Sequence, residues 1–477
     1  MTAGSGGSDR RLHRLALLAT LACAALAALP MLATPGLVNT RAGGDSPFLL
    51  LRVYELETNL RAGIWPARWM PDAAYGLGYP FFHYYGALPY YLTALLSLGG
   101  AGVLWAIKLT QLCGFLIAAG AFYALADDLL HDPLAALLGA AAYTYAPFHM
   151  VNVYVRGDSL SEFYAFVFYP LILWAIARLR RAPTPGHMAL LAFSYAGLLL
   201  CHNISAFIFS PLVGLILLAA AASAPKERVK VLLVGTAALL LGAAMSAWFW
   251  APALRDRDLV SLQVMTTGYF SYDVHFRGAD LVQKSLLFDY SIDGEHNPFV
   301  LGGLQTGLAA LGLVAAFASW WWRRRPRWAD LALLPLVAYA LWPITRSSLP
   351  LWQWVPLLPM AQFPWRFLSI AALGLAAAVA VGLSRLGRLR WLAAPLVALL
   401  AVSSLARLQP EPLPLREADI NVERLQLYEQ FTGNVGSTVR GEYLPAAARP
   451  MPRTSAALLT GEGRPAPLAV QGALAGA

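Results

Sequence analysis

Apolar runs of membrane-crossing length recur along the chain, separated by short polar breaks. Those near 15–33, 104–126, 133–148, 161–179, 188–202, 204–222, 231–252, 299–320, 328–345, 366–384 and 391–406 predict about eleven transmembrane helices. Two fall short of the usual ~20 residues. The runs are continuous Leu, Ala and Val rather than alternating, which favours helices over barrel strands, and only those two structures satisfy their backbones in lipid. The fold class is therefore an all-α polytopic membrane protein. No second half mirrors the first in the manner of a transporter.

Basic residues punctuate the runs at Arg10/Arg11/Arg14, 178–181, 226–230, 323–327 and 385–390. If all five clusters face the cytoplasm, an even number of helices separates each from the next, with the N-terminus inside and the C-terminus outside. The acidic turn "DDLLHD" at 127–132 dissents, since it too would be cytoplasmic. The first apolar segment resembles a signal peptide but exceeds the usual ~7–15 apolar residues, and is retained as a helix. This scheme gives a membrane domain over 1–406, with a first outer loop at 35–103 carrying amphipathic helices and a further outer loop at 253–298. Residues 407–477 form an outer tail, whose end "APLAVQGALAGA" reads as the start of a truncated outer domain.

Composition agrees: 58% of residues are hydrophobic and 13% charged, against ~25% charged in soluble domains. The net charge of +9 is carried by arginines at helix ends, so it reports orientation and not nucleic-acid binding. Cys23, Cys113 and Cys201 lie in apolar stretches with no disulfide or zinc spacing. No phosphate-cradling glycine loop and no HExxH metal motif occur, so no cofactor is expected and a divalent metal is not indicated.

Candidate chemistry concentrates on the outer face. "YGLGYPFFHYYGALPYY", Tyr75 to Tyr91, holds six tyrosines; such rings suit either a membrane interface or the wall of a site. Ahead of it a helix is expected from Asp45 to Arg61. Asp45 either caps that helix or serves as a general base; Arg52 lies about two turns on, within reach of an anion, and Glu55 and Glu57 read as a solvated face. Trp65 and Trp69 around Arg68 suggest an interfacial lock. "FFHYYGALPYYLTALL" reads as a short amphipathic helix lying in the interface. Arg156, Asp158 and Glu162 meet where a helix re-enters the membrane, a position where ionisable groups point to function, or where they form a cap and a surface ion pair. His202 reads as a turn residue or a ligand contact. Gln362 and Arg366 precede the next-to-last span, where Arg366 either snorkels or holds a phosphate.

Three motifs, "LxxGxxPxRWxPDxxYGxGYPxFxxYxxLPYY" (Leu60 to Tyr91), "YVRGDSLSEFYAF" and "QFPWRFL", together resemble the bacterial membrane family labelled 6-pyruvoyl-tetrahydropterin synthase-related, akin to YfhO-type proteins. "GEYLP" at 441–445 fits the same family's outer tail, and the pterin label carries no chemistry here. More broadly, an acid after the first helix, a large first outer loop and acids at the next outer turn resemble the GT-C superfamily of glycosyltransferases. That resemblance implies a multi-pass bacterial inner-membrane enzyme that moves a sugar from a polyprenyl-phosphate carrier to an extracytoplasmic cell-envelope acceptor. Its partners would be membrane lipid, the lipid-linked sugar and an acceptor of unknown identity. Asp45 would be the base; Arg52, Arg156 and Arg366 would face the lipid phosphate; Tyr84, Tyr85, Asp158, Glu162 and His202 would line the substrate site. The family's frequent His after the first acid is replaced here by Phe48 and Leu49. A lipid or polysaccharide flippase or transporter, or an inactive scaffold of the same fold, are the competing readings.

Overall fold

The computed structural model describes residues 5–41, 46–157, 159–293, 296–323 and 328–448. Among these, seven helices are long and apolar enough to cross a membrane, or up to eight if the bent pair Pro133–Thr144 and Pro147–Tyr154 is one span. The expectation of about eleven is not met on these criteria. Helices do occupy the runs expected at 188–202, 299–320 and 328–345, but as shorter apolar stretches, Pro185–Cys201, Gly303–Ser319 and Ala332–Ile344.

The helices Val103–Leu130, Pro133–Thr144, Leu160–Arg181 and Leu368–Ser384 form the centre, with Ser5–Ala33 packed against the first two. Leu368–Ser384 is buried almost throughout because small residues let its neighbours close on it. A Cβ on Gly382 would fall 2.7 Å from the Cα of Gly312, and one on Gly312 would overlap the carbonyl of Ala378, so the helix Gly303–Arg323 crosses here in backbone contact.

The end carrying the basic clusters resolves the dissenting turn. Asp128 accepts hydrogen bonds from Arg178 and Arg181 at 3.0 and 2.8 Å, and Asp127 pairs with His13 at 3.0 Å. Asp128 of "DDLLHD" is thus paired with arginines of the 178–181 cluster, while Asp132 caps the helix Pro133–Thr144.

At the opposite end the first loop and the tail interlock. Leu37–Val38 pairs antiparallel with Pro412–Leu413. The tyrosine-rich stretch forms two helices, Phe81–Tyr84 and Leu88–Leu96, instead of one interfacial helix, and Tyr79, Phe81 and Tyr90 are buried in the core. Trp65 and Trp69 remain exposed, as an interfacial pair would. The tail helix Val422–Thr432 supplies Glu429, whose carboxylate accepts the N–H groups of Ala74, Tyr75 and Gly436 at 2.7–3.0 Å. Ala74 and Tyr75 have φ of 53° and 59°, and turning both amides onto one anion offsets the strain of that conformation.

Glu55 departs from the solvated face expected of it: it is fully buried. Its Oε2 accepts the N–H of Asp72 at 3.2 Å while Oε1 has no partner among the described residues, and burial pushes its carboxyl up to about 8. A carboxyl raised above its unfolded value of about 4.3 binds its proton more tightly when folded, so its contribution to stability falls as pH climbs from about 4.3 to about 8. The melting temperature should therefore fall between pH 6 and 8.5 in the wild type and fall less steeply in Glu55→Gln. Parallel pH profiles of the two proteins would dismiss this assignment.

Candidate functional site

The end of the bundle opposite the basic clusters holds a cavity of about 270 Å³, bordered by Tyr84, Tyr85, His202, Gln362, Glu442 and Tyr443. Each is delivered by a different local device. Tyr84 ends the helix Phe81–Tyr84, donates its hydroxyl to the carbonyl of Asp256 at 2.9 Å, and stacks on Tyr443 with ring centres 5.4 Å apart. Tyr85 stacks on Phe81 at 4.8 Å. His202 sits in the break between Pro185–Cys201 and Asn203–Ala222, where its Nδ1 accepts the N–H of Ser205 as a helix cap. That bond leaves the ring proton on Nε2. The reading of His202 as a turn residue is realised, and the ring also borders the cavity.

Gln362 adopts φ 65° and ψ −51°, and the Phe363 N–H closes back on the Ala361 carbonyl at 2.6 Å. This is the rarer, positive-φ γ-turn, a strained form held here by the Gln362 side chain donating to Met265 O at 3.1 Å. The turn aims the segment Pro364–Phe367 inward, burying Trp365 and Arg366.

Behind the cavity wall lies a buried ion cluster. Arg156 donates to Glu162 at 2.5 Å and to Asn152 at 2.9 Å, and lies over the Trp365 ring. Arg366 lies within electrostatic reach of Glu162, Arg156, Tyr85 and Tyr443. Its Nε and Nη1 are buried without a hydrogen-bond partner among the described residues. Arg52 completes the set from the first-loop helix, but its donors are engaged: Tyr90 Oη at 2.9 Å and the Ser437 carbonyl at 2.9 Å, with the guanidinium over Phe81 at 4.6 Å. Glu442 sits nearby with burial raising its pKa and the Arg52 charge opposing that rise. Of these guanidinium groups Arg366 is the one with two buried donor nitrogens unmatched among the described residues. Burying a cation without full compensation is costly.

Asp45 and Asp158 lie outside the described residues. Their flanks are informative nonetheless: Arg41 N–H donates to Val155 O and Thr40 Oγ1 donates to Arg156 O, each at 2.9 Å. Thr40 and Arg41 therefore run beside the start of the second acidic motif. Among the described residues no three His, Cys, Asp or Glu side chains meet in a way that could hold a metal ion.

A family model described as the 6-pyruvoyl-tetrahydropterin synthase related domain, a membrane protein, matches residues 82–410. The chain belongs to this family. The matched region of the 6-pyruvoyl-tetrahydropterin synthase-related family contains Tyr84, Tyr85, Arg156, Glu162, His202 and Arg366; Arg52 and Glu442 lie beyond its two ends. An uncharacterized protein of Lactococcus lactis subsp. cremoris (strain MG1363) is 26% identical over 226 residues, which cover 46% of this chain and 36% of the relative. The chain thus matches about a third of that relative's length. Among solved structures, the Archaeoglobus fulgidus oligosaccharyltransferase tethered with an acceptor peptide containing the NVT sequon superposes at TM-score 0.48 and 14% identity, covering 92% of this chain and 60% of that one. ArnT from Cupriavidus metallidurans bound to undecaprenyl phosphate gives 0.45 at 13% identity, covering 90% and 79%.

For this member of the 6-pyruvoyl-tetrahydropterin synthase-related family, the structure brings Tyr84, Tyr85, Arg156, Glu162, His202 and Arg366 to one region, and places Arg52 where it braces the tail. Sequence reading passed over Glu442 and Tyr443 as site residues, although "GEYLP" places an acid beside an aromatic in an otherwise polar tail. It also passed over Glu429, whose partners are backbone amides some 355 positions away.

Proposed function

We propose that the protein transfers a sugar from a polyprenyl-phosphate carrier to an acceptor on the extracytoplasmic face of the bacterial inner membrane, with inversion at the anomeric carbon. The observation that carries this reading is the buried guanidinium of Arg366, two of whose donor nitrogens are unmatched among the described residues. A lipid phosphodiester supplies the missing negative charge and becomes a stabilised leaving group. A second groove supports the lipid part: about 490 Å³, lined by apolar residues such as Leu199, Pro211 and Trp250, it shares Asn203, Phe207, Ala253 and Leu254 with the polar cavity. An isoprenoid chain in the groove would present its phosphate toward the cluster.

In this reaction Asp45 takes the proton from the acceptor hydroxyl, the oxygen attacks C1 of the sugar, and the C1–O bond to phosphate breaks with its electron pair leaving on the phosphate. Arg366 and Arg156 offset the charge that develops there. The test is transfer by purified protein in liposomes from a polyprenyl phosphohexose to envelope acceptors, with the product anomer assigned by NMR. An inverted glycoside is the expected product. Net movement of intact lipid-linked sugar between leaflets without transfer would replace this reading with a flippase, and neither activity would leave a scaffold.

A further inference from the structure

We infer that the cavity at Glu442 is the subsite that reads the hydroxyl groups of the transferred sugar, with Glu442 as its specificity-determining residue. The inference deepens the proposed sugar transfer and rests on it.

Glu442 is 8% exposed and borders the cavity, and its Oε2 has no hydrogen-bond partner among the described residues. A buried carboxylate oxygen left unmatched costs free energy that only a donor arriving from the cavity can recover. Arg52 supplies counter-charge nearby while directing hydrogen bonds to Tyr90 and Ser437. The surrounding chemistry selects the donor. Tyr84 and Tyr443 stack face to face beside it and Tyr85 adds a third ring, an apolar wall suited to the C–H face of a pyranose. Asn203 and Gln362 border the same space, yet each is tethered: Asn203 donates to Tyr84 O at 2.8 Å and accepts from Gly86 N at 3.0 Å. A cation ligand would meet Arg257 at the cavity's border, with the Arg52 charge nearby. A phosphate would meet the negative Glu442. A neutral polyol meets neither objection: its hydroxyl donates to Oε2 while its ring lies on the tyrosines. The volume of about 270 Å³ holds one hexose and not an oligosaccharide.

The experiment measures binding of two probes to the full chain in detergent, undecaprenyl phosphate alone and a panel of undecaprenyl phosphohexoses. Glu442→Gln should weaken the phosphohexoses about tenfold or more relative to undecaprenyl phosphate, because one charge-assisted hydrogen bond to the sugar is lost. It should also flatten the ranking among hexoses epimeric at single hydroxyls. Met265→Trp, which fills the cavity from another wall without touching the charge balance, should reproduce the selective loss if Glu442→Gln does not fold. Equal weakening of both probes, or no weakening of the phosphohexoses in a folded variant, overturns the subsite and leaves Glu442 as a counter-ion of Arg52. Failure of the wild type to bind either probe strikes instead at the sugar-transfer reading itself.

Discussion

Arg366→Met is expected to raise the melting temperature of the ligand-free protein while lowering its affinity for undecaprenyl phosphate about ten- to a hundredfold. The two effects have one cause. Arg366 is buried with donor nitrogens unmatched, so the folded state bears a desolvation penalty of a few kcal/mol that methionine removes while filling a similar volume. Glu162 retains Arg156 at 2.5 Å, so no carboxylate is stranded. The complementary change behaves oppositely: Glu162→Gln leaves two buried guanidinium groups facing each other and should cost about 3–5 kcal/mol. Thermal melts in one detergent, with and without undecaprenyl phosphate, check both signs. A destabilised Arg366→Met would mean that the arginine is matched within the protein and receives no ligand.

Asp45→Asn should abolish transfer, with a loss of about 10²–10⁴-fold, the typical worth of general-base catalysis, while donor binding stays near wild type. An amide can still accept the hydrogen bond of a helix cap but cannot accept a proton. If Asp45 merely caps the helix Ser46–Arg61, the pattern reverses: near-normal turnover for Asn and a loss of stability for Asp45→Ala. Turnover within a few-fold of wild type in the Asn variant decides against catalysis.

The spans were legible because burial in lipid imposes one signal, continuous apolarity, that a single chain displays openly. The cluster of Arg156, Glu162 and Arg366 was legible for the related reason that charge at membrane depth is too costly to be incidental. Glu55 was misread since its neighbours in sequence, Tyr54 and Leu56, do not announce that Asp72 will fold over it. The same holds for the tail: nothing local to Ser437 or Glu429 tells that their partners are Arg52 and the Ala74–Tyr75 turn. Those contacts are set by tertiary folding, and the γ-turn at Gln362 by a dihedral pair that its residue type disfavours.

The bond between Arg52 and Ser437 joins residues 385 positions apart, and the cavity's Glu442 comes still later in the chain. During synthesis every membrane helix is threaded before these residues leave the ribosome. A chain cut short after its last helix can therefore sit in the membrane as a bundle, but without Glu442 and Tyr443 its cavity lacks one wall. Completion of translation thus precedes completion of the cavity.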